Sequence, residues 1–218
     1  MVELTTVNGM IIKRAPVGDY DFVVTVLTSE RGKISAFAKG SRRPGNHLAG
    51  VVEPFCFGEF SLYEGRTSYT IQEAKITNYF EHFRNDFNGS MYGMFFLEIA
   101  DYYTRENNDE RELLKLLYQS LRALESDNFD NRLVRCIFEI KSLVINGEFP
   151  GIPTDRKYSG STAYTLEFIR TSTVEKLYSF AVTSEVLNEL LHICDIYRKR
   201  FIDRNLKSYE MVKMIEDN

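Results

Sequence analysis

Near Asn88 the spacing of apolar residues along this 218-residue chain changes from every second residue to every third or fourth. That switch demands strands first and helices afterwards. Before it, five segments alternate or are rich in β-branched residues: Glu3–Arg14, Asp21–Ser29, Lys33–Lys39, Pro54–Glu64 and Ser68–Thr77. Gly9 marks a bulge or turn in the first. Ala15–Tyr20, with Pro16 and Gly18, reads as a turn, and Glu30-Arg31-Gly32 as a hairpin connection. Five short strands in about eighty residues suggest a small barrel or sandwich, and a five-stranded barrel of this size suits an OB-fold.

After Asn88 the pattern is helical. Met91–Arg105 carries Phe95, Ile99, Tyr102 and Tyr103, and Asp109–Glu125 carries Leu113, Leu116, Leu117, Leu121 and Leu124. Asp130 is placed to cap a third helix with Leu133, Ile137, Ile140 and Val144, ended by Gly147 and Pro150. Gly151–Ser161 reads as a loop and Tyr164–Arg170 as a short strand. Thr183 or Ser184 caps a long helix with Val186, Leu187, Leu190, Ile193, Ile196 and Tyr197 on one stripe, and Leu206–Ile215 forms a last short helix. Five helices follow five strands, so the expected class is α+β: an N-terminal five-stranded OB-fold barrel over residues 1–80, then an all-helical domain over 81–218.

Charge narrows the function. The net charge is −4, which excludes a protein that coats nucleic acid by bulk charge. Residues 1–80 hold nine Lys/Arg against eight Asp/Glu, and the remainder 18 against 23, so any anion site must be local. Cys56, Cys136 and Cys194 are far apart and odd in number, which gives neither a disulfide framework nor metal-ligand spacing. Buried free thiols in a reducing cytosol are expected. Met1–Thr6 has no basic n-region or long apolar run, so no secretion signal is expected.

No catalytic constellation is readable. His192, Cys194 and Asp195 are too close on one helix to converge on a metal, and His82 with Asp86 supplies two ligands where zinc needs more. Gly40–Gly45 has the spacing of a nucleotide phosphate loop but continues Asn46-His47, without the Lys and Ser/Thr that hold phosphate and magnesium. The expectation is no enzyme, no cofactor and no metal.

Against this background Arg31–Pro44 stands out: Arg31, Lys33, Lys39, Arg42 and Arg43 with no acid between them. Ile34, Ala36 and Ala38 share one strand face, and Lys33, Ser35, Phe37 and Lys39 the other, before Gly40 and Pro44 break the strand into a loop tipped by Arg42 and Arg43. Two readings stay open: a surface that tracks a phosphate backbone, with Phe37 as a base-stacking platform, or a solvated loop with Phe37 packed inside. Tyr63 and Tyr69 read as packing residues. A second cluster, Arg198-Lys199-Arg200 with Arg204 and Lys207, is either helix-end cations favoured by the macrodipole or a dock for an acidic partner, with Arg198, Arg200 and Lys207 as rim candidates.

Several stretches resemble the RecO family of bacterial recombination mediators. They are Gly18-Asp19-Tyr20-Asp21 running into Val26-Leu27-Thr28, Arg31-Gly32-Lys33-Ile34-Ser35, Ala38-Lys39-Gly40 with Arg42-Arg43, Pro54, Phe138-Glu139-Ile140-Lys141, Gly147-Glu148-Phe149-Pro150 and Leu206-Lys207-Ser208. The resemblance spans nearly the whole chain, and the Gly-Lys-Ile-Ser to Ala-Lys-Gly block is its most specific part. It implies an OB-fold followed by a helical domain, binding of single- and double-stranded DNA, and strand annealing. It also implies partnership with RecR and the acidic tail of the single-stranded DNA-binding protein, RecA loading, and a cytoplasmic, nucleoid-associated location. By matched position Lys39, Arg42 and Arg43 become DNA-contact candidates, with Arg31 and Lys33 behind them. Many relatives carry a four-cysteine zinc module after the Gly-x-x-Pro segment. Gly151–Ser172 holds no cysteine here, so a loop and short strand are expected over about 151–172.

Overall fold

The computed structural model describes residues 4–65 and 68–217. Five strands, β1 (Leu4–Val17), β2 (Asp21–Thr28), β3 (Gly32–Ala38), β4 (Phe57–Glu64) and β5 (Tyr69–Asn78), close into a barrel in the order β1-β2-β3-β5-β4. Glu3, the expected start of the first strand, lies outside the described residues. The pairs β1–β2, β2–β3, β1–β4 and β4–β5 are antiparallel. The closing pair β3–β5 is parallel and short, Ala36 with Tyr69 and Phe37 with Thr70. This is the five-stranded OB-fold expected from the alternation.

The pleat sends Val7, Ile11, Val24, Val26, Ile34, Ala36, Phe60, Leu62 and Ile71 into the barrel. The β3–β4 connection adds Leu48, Val52 and Cys56 to the same core, so a stretch with no regular secondary structure plugs one barrel end. Two sequence expectations need correction. The irregularity in β1 lies between Ile11 and Lys13, while Gly9 stays in register with both Thr28 and Gly58. β1 also runs through the expected turn to Val17, with Pro16 opposite Phe22. Pairing to β4 ends at Met10, so Pro16 sits where β1 has a strand neighbour on one side only and its missing N–H is tolerated.

Six α-helices follow: α1 (Phe87–Tyr103), α2 (Arg111–Leu124), α3 (Asn131–Ile145), α4 (Gly160–Thr171), α5 (Ser184–Phe201) and α6 (Lys207–Glu216). The count is six because Tyr164–Arg170, expected as a strand, belongs to α4. Its β-branched residues look strand-like locally, but Thr162, Thr165, Leu166 and Ile169 are buried at helical spacing. The Ser159 hydroxyl caps its start, accepting from the Thr162 N–H at 3.1 Å. The Lys141 ammonium donates to the carbonyls of Ile169, Arg170 and Ser172 at its end. α3 packs against both α4 and α5, and Asp130 caps α3 through the Arg132 N–H at 2.9 Å.

The chain divides into two compact units, Met1–Glu81 with Ala100–Leu114, and His82–Ile99 with Lys115–Asn218. In the first, residues 105–107 lie along the free edge of the β2–β3 hairpin. The Lys33 N–H donates to Arg105 O at 3.0 Å and the Asn107 N–H to Arg31 O at 2.9 Å. In the second, Arg135 and Glu139 are buried in an ion-pair network with Arg198, Asp195 and Glu216. All three cysteines are buried. Among the described residues no helix is long and apolar enough to cross a membrane.

Candidate nucleic-acid interface

The turn joining β1 to β2 and the loop leaving β3 are tied to each other. The Asp21 carboxylate accepts from the Gly40 N–H at 2.7 Å, and the Arg42 N–H donates to Tyr20 O at 2.9 Å. The Arg42 guanidinium donates to Gly18 O at 3.1 Å. Within the loop the Ser41 hydroxyl donates to Ala38 O at 2.6 Å, and the Arg43 N–H to Gly40 O at 2.9 Å. A loop held at this many backbone groups presents its side chains from a fixed frame rather than a floppy tether.

Cations and rings interleave on that frame. The Arg43 guanidinium lies 4.5 Å from the centre of the Tyr20 ring. Arg14 at 4.5 Å and Arg42 at 5.8 Å both face the Phe22 ring. Arg14 is also paired with Glu53. Lys39, Arg42 and Arg43 are exposed, and none of them has a carboxylate ion-pair partner among the described residues. Together they form a small patch of positive charge backed by aromatic surface.

The other predicted site residues lie elsewhere. Lys33 donates to Asp101 O at 2.6 Å and its carboxylate at 3.0 Å, with 21 % of its side chain exposed. Arg31 pairs with Glu64 at 3.1 Å and faces the buried Tyr69 ring. Both stand at the opposite end of β3 from Lys39, roughly 20 Å away at the rise of a strand. The cations that the sequence runs together over Arg31–Arg43 are thus two clusters, one of them engaged internally. Phe37 is half-buried between Val23 of β2 and Thr70 of β5. Sequence reading missed Arg14, Tyr20 and Phe22. An aromatic closing a glycine turn, two residues before another, was the available signal.

In the helical unit a groove of about 240 Å³ is lined by Ile202, Leu206 and Tyr209 together with Lys199, Arg204 and Lys213. Arg198 also lines it, but its side chain is only 9 % exposed and bonds Glu139 at 2.9 Å and Asp195. Its guanidinium sits 3.4 Å from the centre of the Tyr209 ring. Burial pushes the Asp195 carboxyl up, and the bond and charge of Arg198 more than reverse this, leaving it below the usual range. Arg200 and Lys207 are exposed but do not line the groove. Arg200 lies over Phe201, and the Lys207 N–H donates to Glu98 at 3.1 Å. Among the described residues no cluster of three His, Cys, Asp or Glu is placed to hold a metal ion.

Two family models match successive parts of the chain. The family model described as Recombination protein O N terminal matches residues 1–80, and that described as Recombination protein O C terminal matches residues 84–152. The DNA repair protein RecO of Acetivibrio thermocellus is 28% identical, with 96% of this chain and 96% of that protein covered. That of Clostridium kluyveri is 26% identical over 94% of this chain and 92% of its own. That of Bacillus velezensis is 24% identical over 98% and 95%.

Proposed function

The chain belongs to the RecO family of DNA repair proteins, and we infer that it acts there as a non-enzymatic, cytoplasmic recombination mediator that binds DNA through its barrel. The observation that carries this reading is the loop of Lys39, Arg42 and Arg43, exposed and pinned beside two aromatic rings. In an acidic chain, this local concentration is what a phosphate backbone would meet. Each phosphate neutralised releases condensed counterions, so affinity falls with salt and sequence preference is slight. Single and double strands both present phosphates, so both bind. Two complementary strands held with their repulsion reduced anneal. Residues 1–80 form the DNA-binding domain and residues 81–218 the partner domain. With RecR, the protein opens single strands covered by single-stranded DNA-binding protein to RecA.

Fluorescence anisotropy of a labelled single-stranded oligonucleotide, titrated at several salt concentrations, tests the site. Arg42→Ala with Arg43→Ala should weaken binding and make the log–log salt slope shallower by about 1.4, the value for two lost single-strand contacts. The circular dichroism spectrum should not change. Binding and slope equal to wild type would remove the assignment.

The helical groove favours a second reading, a scaffold that docks the acidic, apolar-ended tail of the single-stranded DNA-binding protein and binds DNA only weakly. Ile202, Leu206 and Tyr209 offer the apolar floor, with Lys199 and Lys213 as rim cations. A labelled tail peptide should bind at low salt and be lost on Lys199→Glu with Lys213→Glu, while Arg200→Glu leaves it in place. No peptide binding at modest salt would end this reading.

A further inference from the structure

We propose that Tyr20 is the base-stacking residue of the barrel and the source of a preference for single-stranded over double-stranded DNA; this rests on the reading that DNA lies on the Arg42–Arg43 face. Tyr20 has 51% of its surface exposed, more than any other described aromatic residue of the barrel. Tyr20 closes the turn before β2 and stands outside the buried core cluster, so its ring is open to a ligand. Its backbone is fixed, because Tyr20 O accepts from the Arg42 N–H. Its ring has one neighbour that favours this position, the Arg43 guanidinium 4.5 Å from its centre. A ring favoured in place before the ligand arrives loses less rotamer freedom on binding.

The other rings near the patch are engaged. Phe22 packs on the barrel core and is faced by both Arg14 and Arg42. Phe37 is half-buried on the barrel wall. Tyr20 alone among these combines exposure, a fixed backbone and a neighbouring cation. A base of a single strand can leave its neighbours and lie on the ring while Arg42 and Arg43 take flanking phosphates. In a duplex the same face of the base is covered by adjacent pairs, so only the phosphate contacts remain. Annealing would thus remove the Tyr20 contact from each base that pairs, loosening the protein from its own product.

The test uses the full chain. Tyr20→Leu should lower affinity for a single-stranded oligonucleotide roughly 5- to 150-fold, the range for one lost stacked base. Duplex affinity should stay within about twofold and the salt slope should not move, because stacking releases no counterions. Tyr20→Phe should behave as wild type. The chain has no tryptophan, so Tyr20→Trp provides a single reporter whose emission should be quenched by the single strand and little by the duplex. Equal losses for both DNA forms in Tyr20→Leu, or equal quenching by both in Tyr20→Trp, would overturn the proposal. If Tyr20→Leu binds normally while the Arg42/Arg43 variant fails, Tyr20 is not the platform and the DNA face stands. If neither substitution matters, both fall.

Discussion

Gly32 and Lys33 sit in the most specific part of the family block, and their neighbours give both a structural reason. Gly32 has φ +64°, and a Cβ there would lie 2.3 Å from the backbone oxygen of Arg105. Only a bare Cα lets residues 105–107 reach the hairpin edge. Lys33 then fastens the same connection through Asp101. Gly18 is a matched control, with φ +55° and open space around a notional Cβ. Gly18→Ala should cost about 1 kcal/mol, the strain of a left-handed alanine, and Gly32→Ala clearly more because backbone must also move. Urea unfolding of the two variants ranks them, and a Gly32→Ala protein as stable as Gly18→Ala would show that the close approach carries no weight. A charge is visible in its own residue, whereas its partner is not. Lys33 finds Asp101 at a separation of 68 residues and Arg198 finds Glu139 at 59. Local sequence therefore located the clustered cations but could not separate the engaged ones from those facing water.

Among the elements, those with a strong period were legible and those defined by their ends were less so. β3 and β4 alternate cleanly, and α2 repeats its leucines, because one face of each is buried. α4 is short and rich in threonine, and its helical state rests on Ser159 at one end and on Lys141, reaching over from α3, at the other. Pro16 punctuates the sequence as a turn yet lies in a strand because β1 is unaccompanied on one side there. α3 offers a clean test of what a cap contributes. The Arg132 hydrogen bond holds the Asp130 carboxyl below its ordinary 3.8 despite partial burial. A depressed carboxylate adds stability above its unfolded value, and that stability is lost as pH falls through the folded one. Asp130→Ala should cost about 1 kcal/mol at neutral pH. Asp130→Asn should keep most of the cap while flattening the loss of stability as pH drops below about 4. Denaturation midpoints measured from pH 6 down to pH 2 decide it. An Asn variant with an undiminished acid loss would show that other carboxylates dominate.

Taken whole, the molecule separates a mildly basic barrel from an acidic helical part, and its overall charge of −4 turns long-range attraction to DNA into a local affair. The order strands-then-helices follows from the change of period alone. The aromatic half of the candidate DNA face does not, since it forms only when the β1–β2 turn and the β3–β4 loop meet. That loop serves two purposes at once. Lys39, Arg42 and Arg43 stand at its start, and Leu48, Val52 and Cys56 further along complete the barrel core. The tip and the plug are one continuous piece of chain, so they differ in how freely they can change. A lineage can exchange the cations one by one and retune its grip on nucleic acid without disturbing the barrel. It cannot excise the loop, because the deletion that removes the grip also uncorks the core.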